Sequence, residues 1–443
     1  NVQFWKKYSN RPPNMSIGKS YTHYIVLPFK IVACWDWFER PTTEYQILAN
    51  NLYLGFVLFT LMNLTISLVV HLHAEWTDVM SNLDNIADGL PVVASLAIVV
   101  YFAVFKKELY QLIEYMERNF KWSSACGLTN TTMRGSLETA RNFGYLYTAC
   151  TLFSVAVYVL LPVVGYLFFD IPLYPWMYKD VEHAAIIALI FIRQCVVQLF
   201  VALALGQLGV LFASNSILLC GQLELLCCSL RNARYTGLLL NGVDYDTIKS
   251  QGYNVEDDER HNYLYNKSEM KPSLLEYDYL NIRGKSHSEV VNDNSLVVPA
   301  DIYSKAYDTH TTLALVQCVR MGQVVQEFKE RLERFVSPLL ALRVVQVTLY
   351  LCTLLYSASL KFDMVTVEYL AAVALDIYVY CYFGNQLAVQ AGRVTVAAYQ
   401  SEWPSMDLAS RRLLLNLLLS HRRPLLIRAG GFLPIDLHTF VLV

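Results

Sequence analysis

The stretch YCYFGNQLAVQAGRVTVAAYQSEW, residues 380–403, joins two kinds of helix without a clean stop between them. It begins as the apolar, aromatic end of a membrane-type helix and becomes polar at Gly384 and Asn385. It then continues as an amphipathic segment that ends in Tyr399 and Trp403, with apolar residues at helical spacing. The pattern predicts a helix that crosses the lipid and continues beyond it, half-buried.

The composition of the whole chain predicts a membrane protein rather than two or three soluble domains. Apolar residues make up 55% of the 443 residues and charged residues only 16%, whereas soluble domains contain roughly 25% charged residues. Windows of about 20 residues, the length that crosses a bilayer, are nearly free of charge. We therefore predict an all-α polytopic protein with seven transmembrane helices, at 51–72, 90–105, 145–169, 184–213, 335–360, 364–383 and 424–443.

The orientation of these spans follows from the Lys and Arg residues between them, which are retained on the cytoplasmic side of membrane proteins. Residues 1–50 and 106–141 carry six each, and residues 71–89 carry none. This alternation continues along the chain and places the N-terminus in the cytoplasm. A G-protein-coupled receptor has the opposite orientation, and the sequence therefore disfavours that class.

The inner links are long and helix-like, which predicts cytoplasmic helices that form an anchor region. The helical pattern from Ala184 to Arg231 would be roughly 70 Å long, about twice a bilayer. The alternative is that these apolar faces lie on the lipid surface. The predicted organisation begins with a cytoplasmic N-terminal segment (1–46) and four membrane helices (47–232). A mobile acidic insert (233–309) follows. Two further membrane helices with the anchor helices (310–428) and the start of a seventh helix (429–443) complete the chain.

Three blocks in the C-terminal third carry a resemblance to a known family. CYFGNQL (381–387), AAYQSEW (397–403) and RRLLLNLLLSHRRPLLIRAGGFLPIDLHTF (411–440) resemble, in order and spacing, the closing signature of insect odorant receptors. The best match is to the odorant-tuning subunits. The resemblance implies an odorant-gated, non-selective cation channel in the plasma membrane of olfactory sensory neurons. Four subunits, normally including the olfactory co-receptor, would surround one central pore as a heterotetramer.

The resemblance also implies that the seventh helix is split between an inner half in the anchor and an outer half that lines the pore. Gly430, Gly431 and Pro434 would mark the split, since both residue types interrupt helices. The family's pore helix continues beyond the point where this chain stops, so no gate residue is assigned. The pore-lining residues expected on this basis are Leu437, Phe440 and Val441.

In the family the odorant is held in the outer half of each subunit, between the second, third, fourth and sixth helices. Such a site suits a small, volatile, mostly apolar ligand, because aromatic walls supply contact area and a few polar groups orient it. The alternative for each residue is ordinary helix packing. The projected ligand-binding residues are Val92, Ala94, Ser95, Phe153, Ser154, Val157, Tyr158, Ile187, Phe191, Gln194, Cys195, Tyr369, Val373 and Ile377.

Two ionisable residues, Arg193 and Asp376, are predicted to lie inside spans at similar depth. Each costs about 2.5–3.5 kcal/mol on insertion scales when unpaired. One hypothesis is an Arg193–Asp376 pair that borders the ligand site. The favoured alternative is that Arg193 reaches outward to the interface while Asp376 faces hydrated protein.

No pattern in the sequence indicates an enzyme or a cofactor. Cys227 and Cys228 are adjacent and lack partner histidines at zinc spacing, and there is no phosphate loop or GxSxG elbow. The basic residues of 411–423 are expected to meet anionic headgroups or subunit acids rather than nucleic acid. The expected partners are the co-receptor, an odorant, membrane lipids and permeant cations. The alternatives are a gustatory-type homotetrameric channel and a seven-span metabotropic receptor.

Overall fold

The structure of the chain is a computed structural model. It describes residues 26–39, 41–74, 83–121, 133–169, 184–243, 304–360, 364–422 and 425–442. Within these ranges the chain is almost entirely helical, and the predicted all-α class is confirmed. The described helices are α1 Glu44–Ala74, α2 Leu83–Val104, α3 Lys106–Asn119, α4 Arg134–Phe169, α5 Ala184–Arg231, α6 Ala233–Leu240, α7 Asp308–Leu360, α8 Met364–Tyr399, α9 Leu408–Ser420 and α10 Leu437–Leu442.

Four of the described helices are long and apolar enough to cross a membrane, namely α1, α4, α5 and α7. The helices α2 and α3 meet at a bend of 68° and pass the same test as a pair. The first six predicted windows fall in α1, α2, α4, α5, α7 and α8. The total of seven crossings and the orientation stay predictions, and "inner" below means the side predicted to face the cytoplasm.

Helices α5 and α7 contain 48 and 53 residues. At 1.5 Å per residue they are about 72 Å and about 80 Å long, well over the roughly 30 Å of a hydrocarbon core. The predicted continuous length of these helices is thus confirmed, and their extension into the cytoplasm stays a prediction. From Val197 to Leu230 most side chains of α5 are buried, because α2, α4, α7 and α8 all pack against it.

Helix α6 lies within the predicted insert 233–309 but belongs to the folded bundle. The fully buried Arg234 pairs with Asp308 at the start of α7, with 2.9 Å between Nη1 and Oδ1. Its Nη1 also donates to Thr311 Oγ1 at 3.0 Å. These contacts fix both ends of the insert together, and its residues 244–303 lie outside the described ranges.

Helix α8 runs without interruption from Met364 to Tyr399, and the predicted continuation of the 380–403 stretch is confirmed. Gly384 does not break this helix. A Cβ atom at Gly384 would overlap the carbonyl oxygen of Ile435, so the glycine lets the C-terminal segment approach the helix backbone closely.

The C-terminal segment is interrupted where the sequence predicts it. Helix α9 begins after the N-cap Asp407, whose carboxylate accepts from Ser410 N at 2.9 Å. A tight antiparallel hairpin follows, in which β1 (Arg428–Ala429) pairs with β2 (Leu433–Pro434). Its turn uses Gly430 and Gly431 at φ 60° and 80°, a conformation that glycine tolerates best. Helix α10 starts only at Leu437, so the predicted interruption at the two glycines and Pro434 is confirmed, while the described part of the predicted span 424–443 is helical only at its end.

Candidate functional site

The hairpin is held on α7 by backbone hydrogen bonds. Gly430 N donates to the carbonyl oxygen of Ser337 at 3.1 Å, and Gly431 N donates to Ser337 Oγ at 3.0 Å. Arg428 N donates to the carboxylate of Glu333 at 3.0 Å. The segment that leads into α10 is therefore fixed to one side of α7.

Helix α10 is held from the other side by α8. The rings of Phe440 and Tyr378 meet edge to face with centroids 5.5 Å apart. Asp436 caps the helix by accepting from Thr439 N at 2.8 Å. Of the predicted pore-lining residues, Leu437 and Phe440 are half-buried against the core, whereas Val441 is 81% exposed.

A buried polar cluster connects α4, α7 and α8 within the predicted spans. We call it the Arg343 cluster, and its members are Arg343, Gln346, Asp376, Tyr147 and Tyr380. Arg343 forms an ion pair with Asp376 and a hydrogen bond with the Gln346 side-chain oxygen. Tyr147 Oη donates to the other carboxylate oxygen of Asp376 at 2.8 Å. Asp376 is thus satisfied by a cation and a hydroxyl, as a buried carboxylate requires.

Helix α5 contacts the Arg343 cluster at Gly209. A Cβ atom there would lie 3.4 Å from Tyr147 Oη and 3.5 Å from Tyr380 Oη, so the glycine admits both hydroxyls to the helix backbone. Tyr380 Oη lies beside the guanidinium of Arg343. However, this hydroxyl and Arg343 Nε are both buried and have no aligned hydrogen-bond partner among the described residues.

The hypothesis of an Arg193–Asp376 pair is wrong, because Asp376 pairs with Arg343 instead. Arg193 donates to the side-chain oxygen of Asn63 on α1. The sequence reasoning missed Arg343 although it lies eight residues inside the predicted fifth span, 335–360. A search for every charged residue within a predicted span would have found it.

The predicted ligand-binding residues of α2, and those of α8 whose side chains are described, face the interior. Val92, Ala94 and Ser95 are buried, and Ser95 Oγ donates to the carbonyl oxygen of Val92 at 2.8 Å. Ile377 is 3% exposed. Val373 packs on a small apolar cluster with Tyr350 and Leu354 of α7, Leu90 of α2 and Leu370 of α8.

The predicted residues of α4 and α5 lie nearer the surface. Phe153 is 72% exposed and Ser154 is exposed, so the structure does not direct them at the interior. The side chain of Tyr369 is outside the described part of the structure. The remaining predicted residues are half-buried along the α4–α5 side of the bundle: Val157, Tyr158, Ile187, Phe191, Gln194 and Cys195.

A groove of about 420 Å³ lies between the inner part of α8 and the C-terminal end of α9, away from the predicted ligand region. His421 Nδ1 lies 3.1 Å from the carbonyl oxygen of Leu417, and burial lowers the pKa of this histidine below its usual value. The groove separates two predicted anchor helices. Its lining residues are Ala388, Ala391, Gly392, Thr395, Leu418, Leu419, His421 and Arg422.

The long helices, the ion pair buried between them and the apolar exposed faces define an α-helical, multi-pass membrane protein. The family model described as "7tm Odorant receptor" matches residues 78–443, and the chain belongs to that family. The predicted identification with insect odorant receptors is thereby confirmed, and the chain is an odorant receptor.

Individual relatives agree with this assignment. "Putative odorant receptor 85e" of Drosophila melanogaster is 23% identical over 344 residues, which cover 76% of this chain and 70% of the relative. "Odorant receptor 83a" of the same species is 21% identical over 356 residues, 78% of this chain and 74% of the relative. These similarities extend beyond the C-terminal blocks on which the resemblance rested.

Solved structures share the fold at lower identity. The insect olfactory receptor OR5 from Machilis hrabei superposes with a TM-score of 0.62 at 13% identity, over 96% of this chain and 94% of that one. The same receptor in complex with eugenol gives a TM-score of 0.65 at 15% identity, over 96% and 95%. At these identities the likeness establishes the fold alone.

Proposed function

We propose that this chain is a subunit of an odorant-gated, non-selective cation channel that opens a central pore in a tetramer with the olfactory co-receptor. The observation that carries the proposal is the position of the C-terminal segment and the exposure of one of its apolar side chains. Helix α10 is held between α7 and α8, yet Val441 on it is 81% exposed. An apolar side chain presented in this way suits a helix that faces the corresponding helices of neighbouring subunits around a pore. Leu437, Phe440 and Val441 are the proposed pore-lining residues.

The proposed odorant site lies in the outer half of the bundle, between α2, α4, α5 and α8. Val92, Ser95, Tyr158, Phe191 and Ile377 supply apolar area with two hydroxyl groups, a composition suited to a small volatile ligand. The eugenol bound by the Machilis hrabei receptor, a small aromatic molecule with a polar end, supports a ligand of this class. Phe153 and Ser154 would join the site only through a rotation of α4.

Assembly is proposed to use the inner, cytoplasmic extensions of the helices. Apolar side chains on α8 and α9 are exposed there, among them Tyr399 at 72%, Leu419 at 59% and Leu415 at 55%. Exposed apolar surface beyond the membrane is covered in a stable protein. Neighbouring subunits would cover it, with the N-terminus in the cytoplasm of an olfactory sensory neuron and the spans in its plasma membrane.

Whole-cell recording tests this function. Cells that express this chain with the co-receptor should give a reversible cation current to at least one member of a broad odorant panel. The current should appear within milliseconds to seconds and persist when G-protein signalling is blocked. Cells with the co-receptor alone are the control for the panel response.

Two outcomes would overturn the proposal. A current from this chain without any co-receptor would favour a homotetrameric, gustatory-type channel. A response that disappears when G-protein signalling is blocked would favour a metabotropic receptor. Labelling of epitope tags at both ends in intact cells tests the predicted orientation independently, since an external N-terminus contradicts it.

A further inference from the structure

We propose that the Arg343–Asp376 ion pair is a positioning element that couples the odorant region to the pore segment. This inference rests on the proposed channel function. Its residues are not predicted to touch either the ligand or the permeating ion. Instead, the pair joins α7 to α8 near the contacts of both helices with the C-terminal segment, at Ser337 on α7 and Tyr378 on α8.

The first part of the argument is a closed circuit of contacts. Helix α7 holds the hairpin through Glu333 and Ser337, and the hairpin leads into α10. Helix α10 returns to α8 through Phe440 and Tyr378. Asp376, half a turn before Tyr378, then returns the circuit to α7 through Arg343. A relative movement of α7 and α8 must therefore strain either the ion pair or the contacts with α10.

The second part is the position of the pair relative to the odorant region. The proposed ligand residues Val373 and Ile377 flank Asp376 on α8, one turn before it and directly after it. Val373 also contacts Tyr350 and Leu354, which lie two and three turns beyond Arg343 on α7. A ligand bound against Val373 and Ile377 would therefore act directly on the segment of α8 that carries Asp376.

The third part is that the Arg343 cluster can form a second arrangement. Tyr380 Oη lies beside the Arg343 guanidinium, and neither this hydroxyl nor Arg343 Nε, both buried, makes an aligned hydrogen bond among the described residues. Tyr380 is one turn after Asp376 on α8, so a change in the side-chain torsions of Arg343 would let the guanidinium donate to this hydroxyl. Packed interiors change between discrete arrangements of this kind rather than deforming continuously. The cluster therefore has the groups that a two-position coupling element needs.

The test compares single and paired neutralisation. Removing one partner leaves a buried charge uncompensated, whereas replacing both with neutral residues is far less disruptive. Arg343→Gln and Asp376→Asn alone should lower surface expression. The double variant Arg343→Gln/Asp376→Asn should reach the surface within two-fold of the parent. If the pair couples the two regions, the double variant should nevertheless raise the half-maximal agonist concentration at least five-fold.

The readout separates coupling from ligand contact and from structural support. Two chemically unlike agonists of the parent channel are used. Loss of a coupling element must raise the half-maximal concentrations of both agonists by the same factor. A shift of less than five-fold, a decrease, or a shift for one agonist only would overturn the proposal. Arg193→Gln is the matched control, since it neutralises another intramembrane arginine outside the circuit, and its agonist concentrations should stay within two-fold.

A second variant keeps the test independent of folding. Tyr380→Phe removes a hydroxyl that makes no aligned hydrogen bond, so the fold should be unaffected. Tyr380→Phe should shift the half-maximal concentrations of both agonists in the same direction as the double variant. Unchanged half-maximal concentrations would contradict the second arrangement. Failure of the parent chain with the co-receptor to respond to the panel would refute the channel function itself. That result is seen before any variant is made.

Discussion

The inner and outer parts of this receptor are packed very differently. In α5, Leu208, Leu211 and Leu223 are at most 1% exposed, whereas Leu189 and Ile192 near the outer end of the same helix are 68% and 63% exposed. We call the first region the inner bundle, formed by residues 197–240, 308–340 and 384–420, and the second the outer helices, formed by residues 145–169 and 184–196. The comparison indicates that the inner bundle has the packing of a soluble core and the outer helices do not.

The difference in packing indicates that the two regions have different roles. A densely packed region resists deformation and can hold the C-terminal hairpin and α10 in a fixed place. A region with fewer buried contacts opens at lower free energy, and ligand sites are commonly built there. The Arg343 cluster lies at the border between the two regions, and the variants below are ordered by the size of the effect expected from this comparison.

The largest difference in stability should separate two variants that each truncate one aromatic side chain, one in the inner bundle and one in the outer helices. Phe328 in the inner bundle is fully buried and meets Phe120 edge to face at 4.8 Å. Phe328→Ala should lower the free energy of unfolding by about 3–5 kcal/mol. Phe153→Ala, at a residue 72% exposed on α4, should change it by less than about 0.5 kcal/mol. Thermal unfolding of the purified complex in detergent measures both, and equal losses would refute the difference in packing.

At the border, Tyr147→Phe tests the Arg343 cluster. The variant removes the hydroxyl that donates to Asp376 at 2.8 Å and should cost about 1.5–3 kcal/mol, as for a hydrogen bond to a charged group. Tyr166→Phe on the same helix, at a residue 49% exposed, is the control and should be neutral. A neutral result for Tyr147→Phe in the same thermal assay would show that Asp376 does not depend on this hydroxyl.

Substitutions of two glycines of α8 separate the effect of the contact with the C-terminal segment from the effect of helix propensity. Gly384→Ala places a Cβ atom against the carbonyl oxygen of Ile435, and the overpacking should cost about 1–3 kcal/mol and reduce the odorant-evoked current. Gly392→Ala has open space around it and should stabilise the helix by up to about 1 kcal/mol. Surface-normalised current and thermal stability are both measured. Equal effects of the two substitutions would contradict the close approach of the C-terminal segment at Ile435 to α8.

The smallest effect concerns pH at the groove between α8 and α9. Burial lowers the pKa of His421, so the folded state favours the neutral ring. Its contribution to stability is complete above the unfolded value of 6.5 and is lost as pH falls through the lower folded value. Acidification from pH 7.5 to 5.5 should therefore destabilise the inner bundle, by less than any of the destabilising substitutions above. His421→Gln should show a weaker pH dependence, and an unchanged profile would refute this assignment.

Much of the fold could be predicted because it depends on local patterns. Charge-free windows predict the spans, and the helical spacing after Gly384 predicts that α8 continues beyond the membrane. Glycines and a proline predict the interruption before α10, since their backbone preferences act locally. The family followed from three short blocks near the C-terminus, and the match over residues 78–443 confirmed it.

The site was harder to predict because it depends on which helices meet. Asp376 could be recognised as a charge within a span, but its partner Arg343 is 33 residues away along the chain and adjacent only after folding. The choice of Arg193 rested on depth alone, which does not determine the side of a helix that a residue occupies. Likewise, Phe153 and Ser154 were projected from the family's ligand region, but α4 packs at the periphery and leaves them exposed.

Hydrogen–deuterium exchange of the purified complex, with and without an agonist identified by recording, tests the division between the two regions most directly. We predict that peptides from the inner bundle, such as 208–231 and 314–340, exchange slowly and do not respond to the agonist. Peptides from the outer helices, 145–169 and 184–196, should exchange faster and become protected when the agonist binds. Fast exchange in the inner bundle, or agonist protection confined to it, would contradict the account.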